Sequence, residues 1–80
     1  MDLESLRYAL TLADELHFGR SAARSHISEP QFGRRIRQLE AHIGIRIFAR
    51  TSRRVTITTE GSEVLTRIRQ IVDAMEALRR

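Results

Sequence analysis

Cysteine, tryptophan and lysine are all missing from this chain. Without cysteine it can form neither a disulfide nor a thiolate-based metal site. Without lysine, all fourteen basic side chains are arginines, set against ten acids. No uninterrupted apolar run comes near the ~20 residues that a membrane-spanning helix needs. The opening residues MDLESLRYAL lack the basic-then-apolar order of a secretion signal. The expectation is a protein with no membrane partner, located in the cytoplasm and associated with the nucleoid.

Catalytic equipment is also scarce. The histidines are His17, His26 and His42, and none has a carboxylate at an obvious orienting distance in sequence. There is no His-Glu-x-x-His, no glycine-rich phosphate loop and no nucleophile elbow. Glu60 and Glu63 read as first-turn helix acids, not a catalytic pair. The expectation is not an enzyme, with no metal and no cofactor in this domain. The four aromatics, Tyr8, Phe18, Phe32 and Phe48, fall one to each element and read as core anchors. Single-strand binding by base stacking would need clustered exposed rings. Eighty residues make one domain at most, and a chain of that size buries only about 60% of its unfolded surface.

The charge is unevenly placed. From Leu16 to Thr59, nine arginines (Arg20, Arg24, Arg34, Arg35, Arg37, Arg46, Arg50, Arg53, Arg54) face two acids, Glu29 and Glu40, a local charge of +7. The two ends carry five arginines and eight acids, or −3, within a formal net charge of +4. A guanidinium offers a planar donor fork that suits phosphates and guanine edges. A genome rich in G and C would also favour arginine over lysine, but would not cluster it.

The stretch SEPQFGRRIRQLEAH, Ser28 to His42, organises the rest. Ser28 with Gln31 three residues on is a capping box, and Pro30 is tolerated in a first turn. Phe32, Ile36, Leu39 and Ile43 form one apolar stripe at helical spacing. The opposite face carries Pro30, Arg34, Arg37, Gln38 and Ala41, flanked by Gln31, Arg35 and Gly33. Three arginines with almost no acid make a face suited to a polyanion, and duplex DNA is the obvious one.

Around it, Asp2 caps a helix from Leu3 to about Glu15, with Leu3, Leu6, Leu10, Ala13 and Leu16 at helical spacing. A short helix follows from Phe18 to Ser25, and Ser25-His26-Ile27 turns into the capped helix. Ile27 is placed as a hydrophobic staple against Phe32. A short turn leading to a basic, Ser-capped helix is the helix-turn-helix pattern. Gly44 is the expected left-handed cap. Ile45-Arg46-Ile47-Phe48 and Val55-Thr56-Ile57-Thr58 read as a hairpin, with Arg50, Arg53 and Arg54 at or near its tip. Thr58 or Thr59 starts a last helix of about 20 residues, running to the chain end. Gly61, Val64, Ile68, Ile71, Met75 and Leu78 follow 3-4 spacing, with Leu65 and Val72 as a second stripe. Ile71, Met75 and Leu78 would protrude, to be covered by a second copy of the helix or by a further C-terminal portion of the chain.

Linked motifs run the whole length: Asp2-Leu3 with Leu6-Arg7-Tyr8, His17-Phe18-Gly19-Arg20 with Ala22-Ala23, Ile27-Ser28, Pro30, Arg34, Ile36 through Glu40, Gly44, Phe48 through Arg54, and Thr58 with Gly61. In this order and spacing the chain resembles the N-terminal DNA-binding domain of the LysR-type transcriptional regulators. The resemblance implies a mainly α fold with a small β-hairpin. Residues 1–58 would be a winged helix-turn-helix, with the helix-turn-helix at about 18–37 and the wing at about 45–58. Residues 59–80 would be a linker helix that pairs two protomers. It further implies a C-terminal effector-binding domain outside this chain, the one place where a small-molecule effector is expected, and possible higher oligomers of the whole protein.

Carried over position by position, the resemblance points to Ser28, Glu29, Pro30, Gln31, Gly33 and Arg34 for the major groove. Arg37 and Gln38 share that face, while Arg50, Arg53 and Arg54 belong to the wing at the minor groove. Val64, Ile68, Ile71, Val72, Met75 and Leu78 are the dimerisation set. Three positions depart from the family pattern. Glu29 replaces a usual Gln, and as an acceptor-only group it favours cytosine N4 over phosphate. Gly33 replaces Ser or Thr, and Ser25 an apolar residue. The resulting expectation is sequence-specific duplex DNA binding as a homodimer in transcription control. The alternative is a protein-interaction module with an incidental basic face, which need not bind DNA or heparin at physiological salt.

Overall fold

Asp2 starts the fold: its Oδ1 accepts from the Ser5 N–H at 2.8 Å and caps α1, Leu3–Glu15. The structure, a computed structural model, describes residues 1–79. α1 buries Leu6, Tyr8, Ala9 and Leu12 and ends where Leu16 turns left-handed at φ 51°. Leu16 therefore leaves the apolar stripe in which its spacing had placed it and stands exposed. α2, Phe18–Arg24, is capped by His17, whose Nδ1 accepts from the Arg20 N–H at 3.0 Å. A left-handed His26, φ 60°, makes the turn into α3, Glu29–Ile43. Ser25, half-buried, closes α2 by donating its N–H to the Ser21 and Ala22 carbonyls at 3.0 and 3.1 Å. The capping box is present in both directions, and Gly44 at φ 83° ends α3.

The hairpin is shorter and later than the sequence pattern predicts. β1 is Phe48–Arg50 and β2 is Val55–Ile57, antiparallel, with Arg50 opposite Val55. Ile45-Arg46-Ile47 alternates like a strand, but its backbone has other partners. Glu40 Oε2, on α3, accepts the N–H groups of Ile47 at 2.8 Å and Phe48 at 3.0 Å. The Ile47 carbonyl takes the Thr58 N–H at 2.9 Å. The segment is thus a strap between α3 and the last helix, and pairing begins only at Phe48.

α4, Thr59–Ala77, is capped by Thr58 and crosses α1. It stops short of the expected chain end, and Arg80 lies outside the described residues. Gly61, Leu65, Ile68 and Val72 face inward onto a core centred on Leu12, Phe32, Ile36 and Ile47. Ile68 and Val72, expected among the dimerisation residues, are 2% and 4% exposed and belong to this chain's own core. Ile71, Met75 and Leu78 do protrude, at 48%, 43% and 79% exposed. The reason is geometric. Two 3-4 series run side by side along α4, and the Gly61-Leu65-Ile68-Val72 series faces the domain along its length. The neighbouring series starts at Val64, half-buried against the core, and then leaves the domain, so that Ile71 and Leu78 stand on the outside.

Candidate nucleic-acid interface

The first turn of α3 is locked before any partner arrives. Ser28 Oγ accepts from the Gln31 N–H at 3.2 Å, while Gln31 Oε1 accepts from the Ser28 N–H at 3.2 Å and from the Ser28 hydroxyl at 3.1 Å. Both residues were expected to face DNA. They remain exposed, but their oxygens are occupied with each other, which fixes the helix end and leaves the Gln31 amide NH2 to point outward. Glu29, Pro30, Arg34, Arg37 and Gln38 are exposed along the same helix.

Gly33 is different: it is buried. A Cβ built on it would stand 3.5 Å from Arg37 Nη1, so the Arg37 side chain folds back across Gly33. A Cβ on Gly19 would lie 3.2 Å from Glu29 Oε1. The Glu29 carboxylate, expected to face base edges in the major groove, rests against the first turn of α2.

Of the nine arginines in the basic segment, three are neutralised within the fold. Arg35, expected on the flank of the basic face, turns back to α1. Its Nη2 donates to both Asp2 oxygens, at 3.0 and 3.1 Å, and to Ser5 Oγ at 2.9 Å. Its guanidinium also lies 5.3 Å from the Tyr8 ring centre. Hydrogen bonds from the Ser5 backbone and hydroxyl, reinforced by Arg35, hold the Asp2 carboxyl below its ordinary value. Arg24 Nη1 meets Asp14 at 2.8 Å and Glu15 at 3.0 Å, and these carboxylates push the Arg24 pKa up. Arg20 reaches Glu15 at 3.3 Å.

Among the described residues the other six, Arg34, Arg37, Arg46, Arg50, Arg53 and Arg54, have no carboxylate within ion-pair distance. All six lie on α3, the strap or the wing. Paired cations thus lie against α1, and unpaired ones gather where α3 meets the hairpin.

That junction is concave. Phe18, Glu29, Gly33, Arg34, Arg37 and Arg50 line a hollow of about 450 Å³. A second, more apolar hollow of about 380 Å³ adjoins it, floored by Ile36, Ile45 and Phe48, with Arg37 and Arg50 shared between the two. At the wing tip, Thr51 Oγ1 accepts the N–H groups of Arg53 and Arg54 at 3.2 and 3.3 Å, and the Thr51 N–H donates to the Arg54 carbonyl at 2.9 Å. The turn is tied by the Thr51 hydroxyl and the backbone, without the arginine side chains, and Arg53 and Arg54 are left exposed. Arg50, expected with them at or near the tip, lies next to it in the last strand pair, opposite Val55. It ends β1, and its guanidinium lies 4.5 Å from the Phe18 ring centre.

Three contributors were not legible from spacing. Glu40 anchors the strap, Phe18 carries Arg50, and Arg46 donates from Nε to the Phe48 carbonyl at 3.2 Å. A lone Glu at the far end of a basic helix was the one available hint of the first. Among the described residues no group of three or more His, Cys, Asp or Glu could hold a metal ion, and no helix is long and apolar enough to cross a membrane.

This arrangement matches known proteins closely. The family model described as "Bacterial regulatory helix-turn-helix protein, lysR family" matches residues 3–62. The uncharacterized HTH-type transcriptional regulator YnfL of Escherichia coli (strain K12) is 45% identical over 76 residues, covering 95% of this chain and 26% of the relative. The structure of Vibrio fischeri DarR in complex with DNA superposes with a TM-score of 0.92 at 30% identity, covering 96% of this chain and 26% of that one. The BenM DNA-binding domain in complex with catB site 1 DNA gives a TM-score of 0.91 at 29% identity, covering 98% and 84%. The chain spans about a quarter of the length of the curated relatives it matches. With a winged helix-turn-helix, a long fourth helix and a family match over most of its length, the chain belongs to the lysR family of bacterial regulatory helix-turn-helix proteins.

Proposed function

We propose that this chain is the duplex-DNA-binding part of a transcriptional regulator. α3 would lie in the major groove and the arginine-bearing wing at the adjacent minor groove. The observation that carries this is the segregation of unpaired cations: six arginines without a carboxylate partner share the α3–wing side, while Arg20, Arg24 and Arg35 are paired against α1. The DNA complexes of DarR and of the BenM domain, both alike in fold, support the reading. Arg34, Arg37 and Gln38 would make the α3 contacts together with Pro30 and the Gln31 amide. Arg53 and Arg54 would enter the minor groove, with Arg50 at the junction. Ser28 would act through the cap it forms, and Gly33 through the close fit of Arg37.

The acting unit would be a homodimer. Ile71 and Leu78 form an apolar ridge on the outside of α4, with Met75 at its border and the half-buried Val64 at its start, and a second α4 would cover it. Two copies would then read half-sites one or more helical turns apart, ~34–36 Å each. A cytoplasmic setting follows from that function, and catalysis forms no part of it. A small-molecule effector would belong to the part of the longer relatives that these residues do not span.

The test is selection of duplexes from a random-sequence pool, followed by titration of the enriched duplex at several salt concentrations. The expected result is one consensus with two half-sites. Log affinity should fall against log salt with a slope of roughly −0.9 for each phosphate contacted. No enrichment, or a flat salt response, would overturn the proposal.

A further inference from the structure

The contact between Arg50 and Phe18 joins two parts of the molecule that share no regular backbone pairing. Arg50 ends the first strand of the wing, and Phe18 begins α2. The guanidinium carbon lies 4.5 Å from the ring centre, well inside the reach of a cation–π contact. The ring is itself held from below. It meets Phe32 edge-on, centroids 6.1 Å apart and planes at 82°, and Phe32 is fully buried on α3. Phe32 in turn meets Tyr8 on α1 at 5.5 Å, and Tyr8 lies under Arg35. A column Arg50-Phe18-Phe32-Tyr8-Arg35 therefore crosses the domain with a cation at each end. The Arg35 end is neutralised by Asp2. Among the described residues the Arg50 end has no carboxylate within ion-pair distance, and it faces the hollow it shares with Glu29, Arg34 and Arg37.

We propose that Phe18 is a positioning residue for DNA binding: by seating Arg50 on its face, it fixes the wing against α3 and holds a wing cation beside Arg34 and Arg37 before DNA arrives. A strand only three residues long and a turn of exposed residues give the wing little rigidity of its own. The Phe18 ring removes one of its freedoms. An arginine already in place loses less rotamer freedom on binding than a mobile one. This role rests on the DNA-binding reading above.

The experiment uses a duplex enriched by the wild-type chain and a double-mutant cycle of Phe18→Leu and Arg50→Ala, with Phe18→Tyr as the variant that keeps a ring face. Phe18→Leu should weaken binding about three- to tenfold, the range of one cation–π contact, and Phe18→Tyr should restore most of it. In the Arg50→Ala background, Phe18→Leu should change affinity less than about twofold, because the contact is already gone. Paired with Arg54→Ala it should keep its full effect. A merely structural Phe18 would cost the same in every background, and that result would overturn the proposal.

A second readout needs neither variant nor DNA. In the NMR spectrum of the wild-type chain, the Arg50 δ-methylene protons should be shifted upfield by the ring, and random-coil values would equally overturn the proposal. Absence of any enriched duplex would bring down the DNA-binding reading and this role together. Enrichment without Phe18–Arg50 coupling would bring down this role alone.

Discussion

Arg35 on α3 holds Asp2 across thirty-three positions of chain, its Nη2 3.0 Å from one carboxylate oxygen and 3.1 Å from the other. Asp2 serves twice, because the same carboxylate caps α1 through the Ser5 N–H. Asparagine caps a helix about as well as aspartate but carries no charge. Asp2→Asn therefore removes the charge, which the Ser5 hydrogen bonds and Arg35 both favour, while keeping a cap. Hydrogen bonds from Ser5, reinforced by Arg35, hold the Asp2 carboxyl below its ordinary value in the fold. A depressed folded pKa gives stability that is present above the unfolded value and is lost as pH falls through the folded one. Thermal unfolding at pH 7 should find wild type more stable than Asp2→Asn. The gap should close as pH falls through the lowered folded pKa, below the ordinary aspartate value. A gap that stays constant into acid would rule out the ion pair as its source.

Glu40 fastens the wing to α3 with a single carboxylate oxygen shared by two backbone donors, Ile47 N–H and Phe48 N–H. Both residues are buried, at 0% and 4% exposed, so removing the acceptor strands two donors away from water. Glu40→Ala should cost about 2–3 kcal/mol in urea unfolding. Glu40→Gln keeps an acceptor and should cost about half as much. Equal losses for the two would mean that the carboxylate acts in some other way.

Two glycines should respond oppositely to alanine. At Gly61 a Cβ would overlap the Ile47 carbonyl oxygen and stand 2.8 Å from Ile47 Cα, both backbone atoms of the strap. Gly61→Ala should destabilise by about 2–3 kcal/mol, because the strap cannot move without disturbing Glu40. At Gly33, among the described residues, a Cβ would meet no side chain within 4 Å except the tip of Arg37, at an ordinary 3.5 Å. Gly33→Ala should stabilise by roughly 0.5–1 kcal/mol through helix propensity alone. Chemical denaturation of the pair checks both signs.

The outer ridge of α4 is set apart from the core by one step around the helix. Ile71→Glu leaves Leu65, Ile68 and Val72 untouched, so the melting temperature of the monomer should hold while self-association is lost. Sedimentation equilibrium should show dimer for wild type and monomer for Ile71→Glu. A monomeric wild type would show that the ridge is covered by something other than a second copy.

These residues also mark where sequence reasoning succeeds and where it stops. The capping box of Ser28 and Gln31, the Asp2 cap, the Gly44 stop and the core stripe Phe32-Ile36-Leu39 all depend on neighbours within one or two turns, and spacing is enough to find them. The fate of Arg35 depends on Asp2, far away in sequence, and so the basic face loses one of its three arginines. The start of β1 depends on which backbone groups Glu40 has taken, which no local alternation reveals. Along α4 two apolar series run side by side. Periodicity counts them both, but only the position of α1 decides that Ile68 and Val72 go inward while Ile71 and Leu78 stay out. Arg50 falls within the basic run by composition, yet it is set by an aromatic ring on another element.

The central claim is that the exposed guanidinium face of α3 docks onto duplex DNA. Arg34 is exposed and has no carboxylate partner among the described residues, so its charge can be reversed without breaking an internal contact. The most direct test is an anisotropy titration of Arg34→Glu against the duplex enriched by wild type, after the melting temperature has shown that the variant folds. The account predicts a loss of about a hundredfold or more, as a base or phosphate contact worth ~1–3 kcal/mol gives way to repulsion. A folded Arg34→Glu variant that binds with near-wild-type affinity would contradict it.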